Sequence, residues 1–185
     1  GMAGPNSHID PKRRLITTSF NGNKIVTTGG GGALFSHDES VAAHAKHLST
    51  TAKADPIEFY HDELGYNYRL TNVSAALGVG QMELLEEYVD RKRAIAASYA
   101  EALGGISGVV QLHPEPEHCR SSFWMHTLLL DRPARPVVDA LGAAGIISRP
   151  IWRPMFELPA MQGSHSWGEL PVSHHTCTHA ISLPC

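Results

Sequence analysis

Ser19-Phe20-Asn21-Gly22-Asn23-Lys24-Ile25-Val26-Thr27-Thr28-Gly29-Gly30-Gly31-Gly32 sets one lysine between a polar turn and a run of four glycines. Asn21-Gly22-Asn23 has the chemistry of a tight turn, and Ile25-Val26 reads as a short buried strand after the lysine. Gly29 to Gly32 let backbone approach a bound group or a neighbouring strand with no Cβ in the way. A lysine becomes a nucleophile when close packing and a controlled charge environment hold its amine neutral or tie it up as a Schiff base. Lys24 is therefore the candidate catalytic residue, set against the plainer reading of a hairpin with a solvated lysine. The glycine run is not a nucleotide P-loop, because no Gly-Lys-Ser/Thr follows it.

Two further blocks carry distinctive residues. Gly65-Tyr66-Asn67-Tyr68-Arg69-Leu70-Thr71-Asn72 leads into Val73-Ser74-Ala75-Ala76-Leu77-Gly78. In an extended segment Asn67 and Arg69 point to one side and Tyr66 and Tyr68 to the other. An amide beside a guanidinium suits a phosphate or a carboxylate, although a polar strand edge packed by two tyrosines has the same pattern. The third block is Arg149-Pro150-Ile151-Trp152-Arg153-Pro154, with Leu158-Pro159 after it.

These three blocks, in this order over roughly residues 18 to 184, resemble the DegT/StrS-type sugar aminotransferases, which use pyridoxal phosphate to aminate keto-sugars on nucleotide carriers. The resemblance implies the C-terminal part of an aspartate-aminotransferase-like α/β enzyme of fold type I. Its parts would be an atypical arm with a tag-cleavage scar at Gly1 (residues 1–18), a remnant of the large cofactor-binding domain (19–85), and a small two-layer α+β domain (86–185), with a long linking helix between the last two. It implies that Lys24 carries the cofactor, that Asn67 reaches the cofactor phosphate of the opposite subunit of a homodimer, and that Arg69 is a contact for an anionic substrate group or a structural anchor. Nucleotide-sugar and amino-acid substrates follow, with glutamate as donor. The family pattern often has a histidine where this chain has Phe156.

Family members place this lysine near mid-chain, whereas here 23 residues precede it. The chain thus reads as a C-terminal half. The cofactor needs an acid on its ring nitrogen and donors for its phosphate. Asp10 is the only acid before Lys24, and its neighbourhood, Asn6 to Arg14, does not resemble the family, so it is not cast in that role. The expectation is a transaminase by lineage whose isolated chain is inactive. The alternatives are a non-catalytic, self-associating small domain or a His/Cys metal-binding protein.

For the metal reading, His175 and His179 are four apart with Cys177 between them, and the chain has 12 histidines. Paired CxxC spacing is missing, so these read as surface histidines, as do His44 and His47, and no metal ligand is assigned. No Gly-x-Ser-x-Gly elbow supports Ser-His-Asp hydrolysis. A formal charge of −3 argues against nucleic acid, and basic residues cluster only at Lys12 to Arg14, read as a mobile arm, and Arg91 to Arg93, read as a solvated helix face. No apolar run approaches the ~20 residues of a membrane span and no signal peptide opens the chain. Cys119, Cys177 and Cys185 are too few and too irregular for a disulfide framework, which makes the cytoplasm the expected compartment.

Patterning then predicts a helix from Asp38 to Thr51, a polar connector from Thr50 to Glu63, and a long helix capped by Asn72 and running to about Leu103. Its stripe of Leu77, Leu84, Tyr88, Ile95 and Tyr99 reads as core, and Gly78 and Gly80 as points of close packing. Strands at Val109–Leu112, Phe123–Leu130 and Ile146–Ile151 flank a helix at Arg135–Ala144 that stops at Gly145, and Pro154 to Gly168 reads as an ordered loop.

Overall fold

The computed structural model describes residues 15–112, 114–165 and 168–185, and the chain divides into two compact units between Leu85 and Glu86. Asp10 and the basic run at Lys12 to Arg14 lie outside the described residues.

The first unit opens with an antiparallel pair, β1 (Leu15–Ser19) and β2 (Gly32–Ser36), in the register Leu15↔Ser36 to Ser19↔Gly32. Residues 15–18, assigned from sequence to an N-terminal arm, are therefore strand, because β2 satisfies their backbone. Helix α1 (Glu39–Ser49) follows, and Asp38 caps it by accepting from the N–H groups of Ser40 and Val41. The expected polar connector contains a small hairpin, β3 (Lys53–Asp55) and β4 (Tyr60–His61). Asp55 folds its turn by accepting from the N–H groups of Ile57 and Glu58, which holds its carboxyl below the usual range.

The single long helix is in fact two, α2 (Asn72–Met82) and α3 (Leu85–Leu103). At the break the N–H of Leu84 donates to the carbonyl of Gln81, three residues back, so the α-helical ladder is replaced by a tighter turn. Thr71, not Asn72, is the N-cap of α2: its backbone is extended and its hydroxyl accepts from Ser74 N–H. Leu77 and Leu84 of the expected core stripe are exposed, whereas Val89 is buried.

The second unit is a four-stranded antiparallel sheet of order β5-β6-β8-β7 with helices on it. Its strands are β5 (Val109–Leu112), β6 (His126–Leu130), β7 (Arg149–Pro150) and β8 (Ala180–Leu183); the connecting helices are α4 (Ala134–Ala143) and α5 (Pro171–His179). Leu128, Leu130, Ala134 and Ile181 form the buried centre, joined by Leu103 of α3 and by Val137, Val138 and Leu141 of α4. The small two-layer α+β domain is thus as expected in kind.

Its boundaries differ for local reasons. Phe123 has φ +43°, so extended structure cannot begin there and β6 starts at His126. Gly145, at φ +78°, ends α4 while Ile146 N–H returns to Leu141 O. Strand pairing resumes only at Arg149, and Pro150, which has no N–H, sits on the edge strand where none is needed. The α5–β8 segment, not assigned from sequence, supplies the sheet's second central strand. Short 3₁₀ turns at Met155–Glu157 and Pro159–Met161 order the loop after β7; Ser166 and Trp167 of that loop lie outside the described residues.

Candidate functional site

Lys24 stands in the loop that joins β1 to β2, half-buried. Asn21 to Asn23 form the expected turn, with Lys24 N–H donating to Asn21 O at 3.0 Å. Ile25 and Val26 are not a strand, because the chain continues to bend; Val26 is nonetheless buried. The loop is closed on itself by Phe20 N–H to Gly31 O and by Thr28 N–H to Phe20 O, both 3.0 Å. Thr27 hydroxyl donates to Phe20 O at 3.0 Å, and Thr27 N–H donates to Gln81 Oε1 of α2 at 2.9 Å. The lysine is thus presented on a loop with a fixed base.

The four glycines divide by role. Gly29 and Gly31 occupy left-handed backbone at φ +80° and +85°. A Cβ on Gly32 would stand 2.3 Å from Thr18 O on β1, and one on Gly31 would stand 2.8 Å from Leu70 Cδ1. Around Gly29 and Gly30 the space is open. Close approach to a neighbouring strand therefore explains Gly32, and only the first two leave room for another group. Gly78 packs as expected, against the Thr28 methyl, but Gly80 faces open space.

Phe20, Val26 and Thr28 of the loop and Leu70, Ala75, Gly78, Val79, Met82 and Glu83 line a recess of about 490 Å³. Its walls are almost wholly apolar, which suits packing and not a phosphate or a carboxylate.

Asn67 and Arg69 lie in the exposed segment between β4 and α2. Tyr66 and Tyr68 stack with centroids 5.1 Å apart and planes 11° apart, which places both tyrosines on one side of the extended chain. The segment is pinned to the end of α1: Tyr66 N–H donates to Leu48 O at 2.7 Å, Tyr68 N–H to Ser49 O at 2.9 Å, and Asn67 bridges Thr50. Gly65 permits this, since a Cβ there would lie 2.4 Å from Ala52 N.

In the third block, Trp152 stacks on Trp124 with centroids 6.2 Å apart and Arg153 pairs with Glu157 at 3.6 Å. Phe156 tilts against His174, which pairs with Glu157 at 2.9 Å. The Arg91–Arg93 run is not a uniformly solvated face. Arg93 is half-buried, grips Glu115 through both guanidinium nitrogens, at 2.6 and 2.9 Å, and donates to Ser121 O. That grip, with the Ser121 N–H, holds the Glu115 carboxyl down at about 2.

In the His/Cys segment the His175 and His179 rings stack with centroids 4.2 Å apart, and among the described residues no third ligand atom gathers with them. Cys177 Sγ donates to His174 O at 3.2 Å, and His179 Nδ1 lies 2.7 Å from the Thr178 hydroxyl and 3.0 Å from His175 O. Among the described residues the ligand atoms that do gather are those of His47, Asp62 and Glu63. The sequence reading missed Asp62 and Glu63, whose adjacent carboxylates inside a polar connector were the available signal.

The profile of the DegT/DnrJ/EryC1/StrS aminotransferase family matches residues 12–185. The chain is 41% identical to EpsN of Bacillus subtilis over 143 residues, covering 76% of this chain and 37% of that protein. It is 31% identical to the GDP-perosamine synthase of Escherichia coli O157:H7 over 172 residues, 92% of this chain and 46% of that one. The aminotransferase TlmJ of Streptoalloteichus hindustanus superposes with a TM-score of 0.84 at 26% identity, over 92% of this chain and 46% of its own. The chain therefore spans less than half the length of these relatives. Its fold is that of the C-terminal part of a pyridoxal-phosphate sugar aminotransferase. The match reaches back to residue 12, so β1 belongs to it. Among the described residues no helix is long and apolar enough to cross a membrane. The lysine loop, the Asn67 segment and the sheet of the second unit are thus parts of one inherited scaffold, and the chain belongs to the DegT/DnrJ/EryC1/StrS aminotransferase family.

Proposed function

We propose that this chain is the lysine-bearing part of an enzyme that transfers an amino group, from glutamate, to a keto-sugar carried on a nucleotide. The observation that carries the reading is Lys24, half-buried on a loop whose base is closed by bonds among Phe20, Thr28 and Gly31 and tied to α2 through Gln81. The names of the GDP-perosamine synthases support a nucleotide-linked sugar as substrate.

Lys24 supplies the amine that pyridoxal phosphate requires, and the same loop leaves space at Gly29 and Gly30; when bound, the cofactor would supply an electron sink for the carbon whose proton is moved. Lys24 Nζ would be the covalent anchor and, once released, the base that holds the transferred proton. Asn67 would donate its side-chain amide to the cofactor phosphate of a partner subunit, and Arg69, on the same side of the chain, would meet an anionic substrate group. Exposed Leu15, Ile16, Leu34 and Phe35 on β1 and β2 support an assembly in which these strands are covered, and a homodimer in the cytoplasm is the proposed working form. The remaining requirements, a carboxylate on the ring nitrogen and donors for the phosphate, belong by resemblance to sequence upstream of the lysine. By itself this chain is proposed to transaminate little or not at all.

Treatment of the purified chain with pyridoxal phosphate, reduction with borohydride and peptide mapping tests the assignment. The expected result is a label concentrated on Lys24 and absent from Lys24→Ala. A label spread evenly over Lys46, Lys53 and Lys92 and unchanged in Lys24→Ala would remove Lys24 from the role. Rapid turnover of glutamate and a GDP-linked keto-sugar by the chain alone would overturn the proposed inactivity.

A further inference from the structure

We propose that His47, Asp62 and Glu63, with His44 one helical turn away beside Glu63, form a binding site for a divalent transition-metal ion, zinc above all, that clips the β4–α2 segment to helix α1. His44 and His47 are one turn apart on α1, so both imidazoles leave the same helix face. Asp62 and Glu63 follow β4 directly and come back over that face. His47 Nε2 lies 2.7 Å from Asp62 Oδ1 and 3.7 Å from Glu63 Oε1, and His44 Nε2 lies 2.9 Å from the same Glu63 oxygen. Neighbouring ligand atoms around a tetrahedral zinc, at bonds of 2.0–2.1 Å, stand roughly 3.3 Å apart. The 2.7 and 3.7 Å separations within the trio of His47, Asp62 and Glu63 bracket that value, whereas His44, held at Glu63, stands outside the trio and would have to rotate inward to join it.

Backbone bonds set the arrangement in place before any ion arrives. His47 O accepts from Ala52 N–H at 2.9 Å, Ala52 O accepts from Asp62 N–H at 3.3 Å, and His61 Nδ1 lies 2.6 Å from Thr51 O. The strand pair Lys53↔His61 fixes the register, so the carboxylates cannot slide along the helix. Two imidazole nitrogens with two carboxylates favour zinc over calcium or magnesium, which prefer oxygen alone. His47 comes from α1 and Asp62 and Glu63 from beyond β4, so an ion shared by the three would tie the two segments together. The residues after Glu63 run directly into Gly65–Arg69, and Tyr66 N–H is already bonded to Leu48 O of α1. An ion at this place would hold the backbone that presents Asn67. The inference rests on these four side chains and is independent of the role proposed for Lys24.

Titrating the metal-free chain with zinc chloride by calorimetry, and with cobalt chloride by visible absorption, tests the site. One saturable equivalent per chain is expected, with the intense cobalt absorption of tetrahedral nitrogen and oxygen ligation. Glu63→Gln should weaken it about tenfold or more, and His44→Ala with His47→Ala should abolish it, since even supporting residues around metal ligands are worth roughly 10–100-fold in affinity. His175→Ala with His179→Ala should leave the equivalent unchanged. Circular dichroism checks that each variant is folded, and Glu63→Gln, which preserves shape, decides if the double histidine variant is not. No saturable equivalent, or one that survives Glu63→Gln undiminished, or one lost with His175 and His179, overturns the proposal.

Discussion

The backbone N–H of Thr27 donates to Oε1 of Gln81 at 2.9 Å, joining the lysine loop to helix α2 across 54 positions of sequence. Thr27 is half-buried, so deleting the acceptor strands a donor that water reaches poorly. Gln81→Met should lower unfolding stability by about 1 kcal/mol in urea, whereas Gln81→Glu, which keeps an acceptor, should cost less. The borohydride label at Lys24 should become less selective in Gln81→Met. Equal stability of wild type and Gln81→Met would show that the bond does not brace the loop.

The glycine run offers a sharper contrast. Gly32→Ala would place a methyl 2.3 Å from Thr18 O, in backbone that cannot yield without parting β1 from β2. A loss of about 2 kcal/mol is expected, typical of overpacking. Gly30→Ala meets nothing within 4 Å and should change stability by less than about 0.5 kcal/mol. Denaturation midpoints of the two variants, measured side by side, check whether the glycines differ as their surroundings do.

Much of the molecule could be read from its residues where the signal was local. The turn before Lys24, a cap at Asp38 or Ser40, which the structure places at Asp38, and the stop at Gly145 depend on neighbouring atoms, and each is written in residue type. The side-to-side alternation at Tyr66 to Arg69 was equally legible, and the tyrosine stack agrees with it. What escaped was set by distant partners. The β3–β4 hairpin has strands of three and two residues, too short to show alternation among polar side chains. The α2–α3 break contains neither Pro nor Gly and interrupts a continuous apolar stripe, so no residue announces it. Strand β8 is short and follows a polar helix, yet Ala180 and Ile181 are among the most buried residues because β6 and β7 flank them. The histidine and carboxylate cluster likewise exists only once β4 folds back on α1.

Acid should loosen the second unit at Glu115. Arg93 and the Ser121 N–H hold its carboxyl at about 2, below its ordinary value of 4.5. A carboxyl whose folded value is depressed contributes stability above the unfolded value, and that contribution fades as pH falls from about 4.5 towards 2. Urea midpoints should therefore decline across this window, and Glu115→Gln should flatten part of the decline while lowering the plateau at neutral pH. An unchanged slope in Glu115→Gln would mean that other carboxylates govern the acid limb.

Gly65 couples the first unit's backbone to the presentation of Asn67, and its substitution should be felt at both. Thr51 and Ala52 adopt left-handed conformations at φ +69° and +49°, and Ala52 is fully buried. They press directly on Gly65, where a methyl would lie 2.4 Å from Thr51 C and from Ala52 N. Neither side can retreat cheaply, because Thr51 N–H is bonded to Tyr66 O and Tyr66 N–H to Leu48 O. Gly65→Ala should cost about 2 kcal/mol or more and should part the Asn67 segment from the end of α1. Amide hydrogen exchange gives the local readout: faster exchange at Tyr66 and Tyr68 in the variant, with the sheet of the second unit unaffected, is the expected pattern. Uniformly accelerated exchange in both units would indicate global destabilisation and would remove Gly65 as a local determinant of where Asn67 stands.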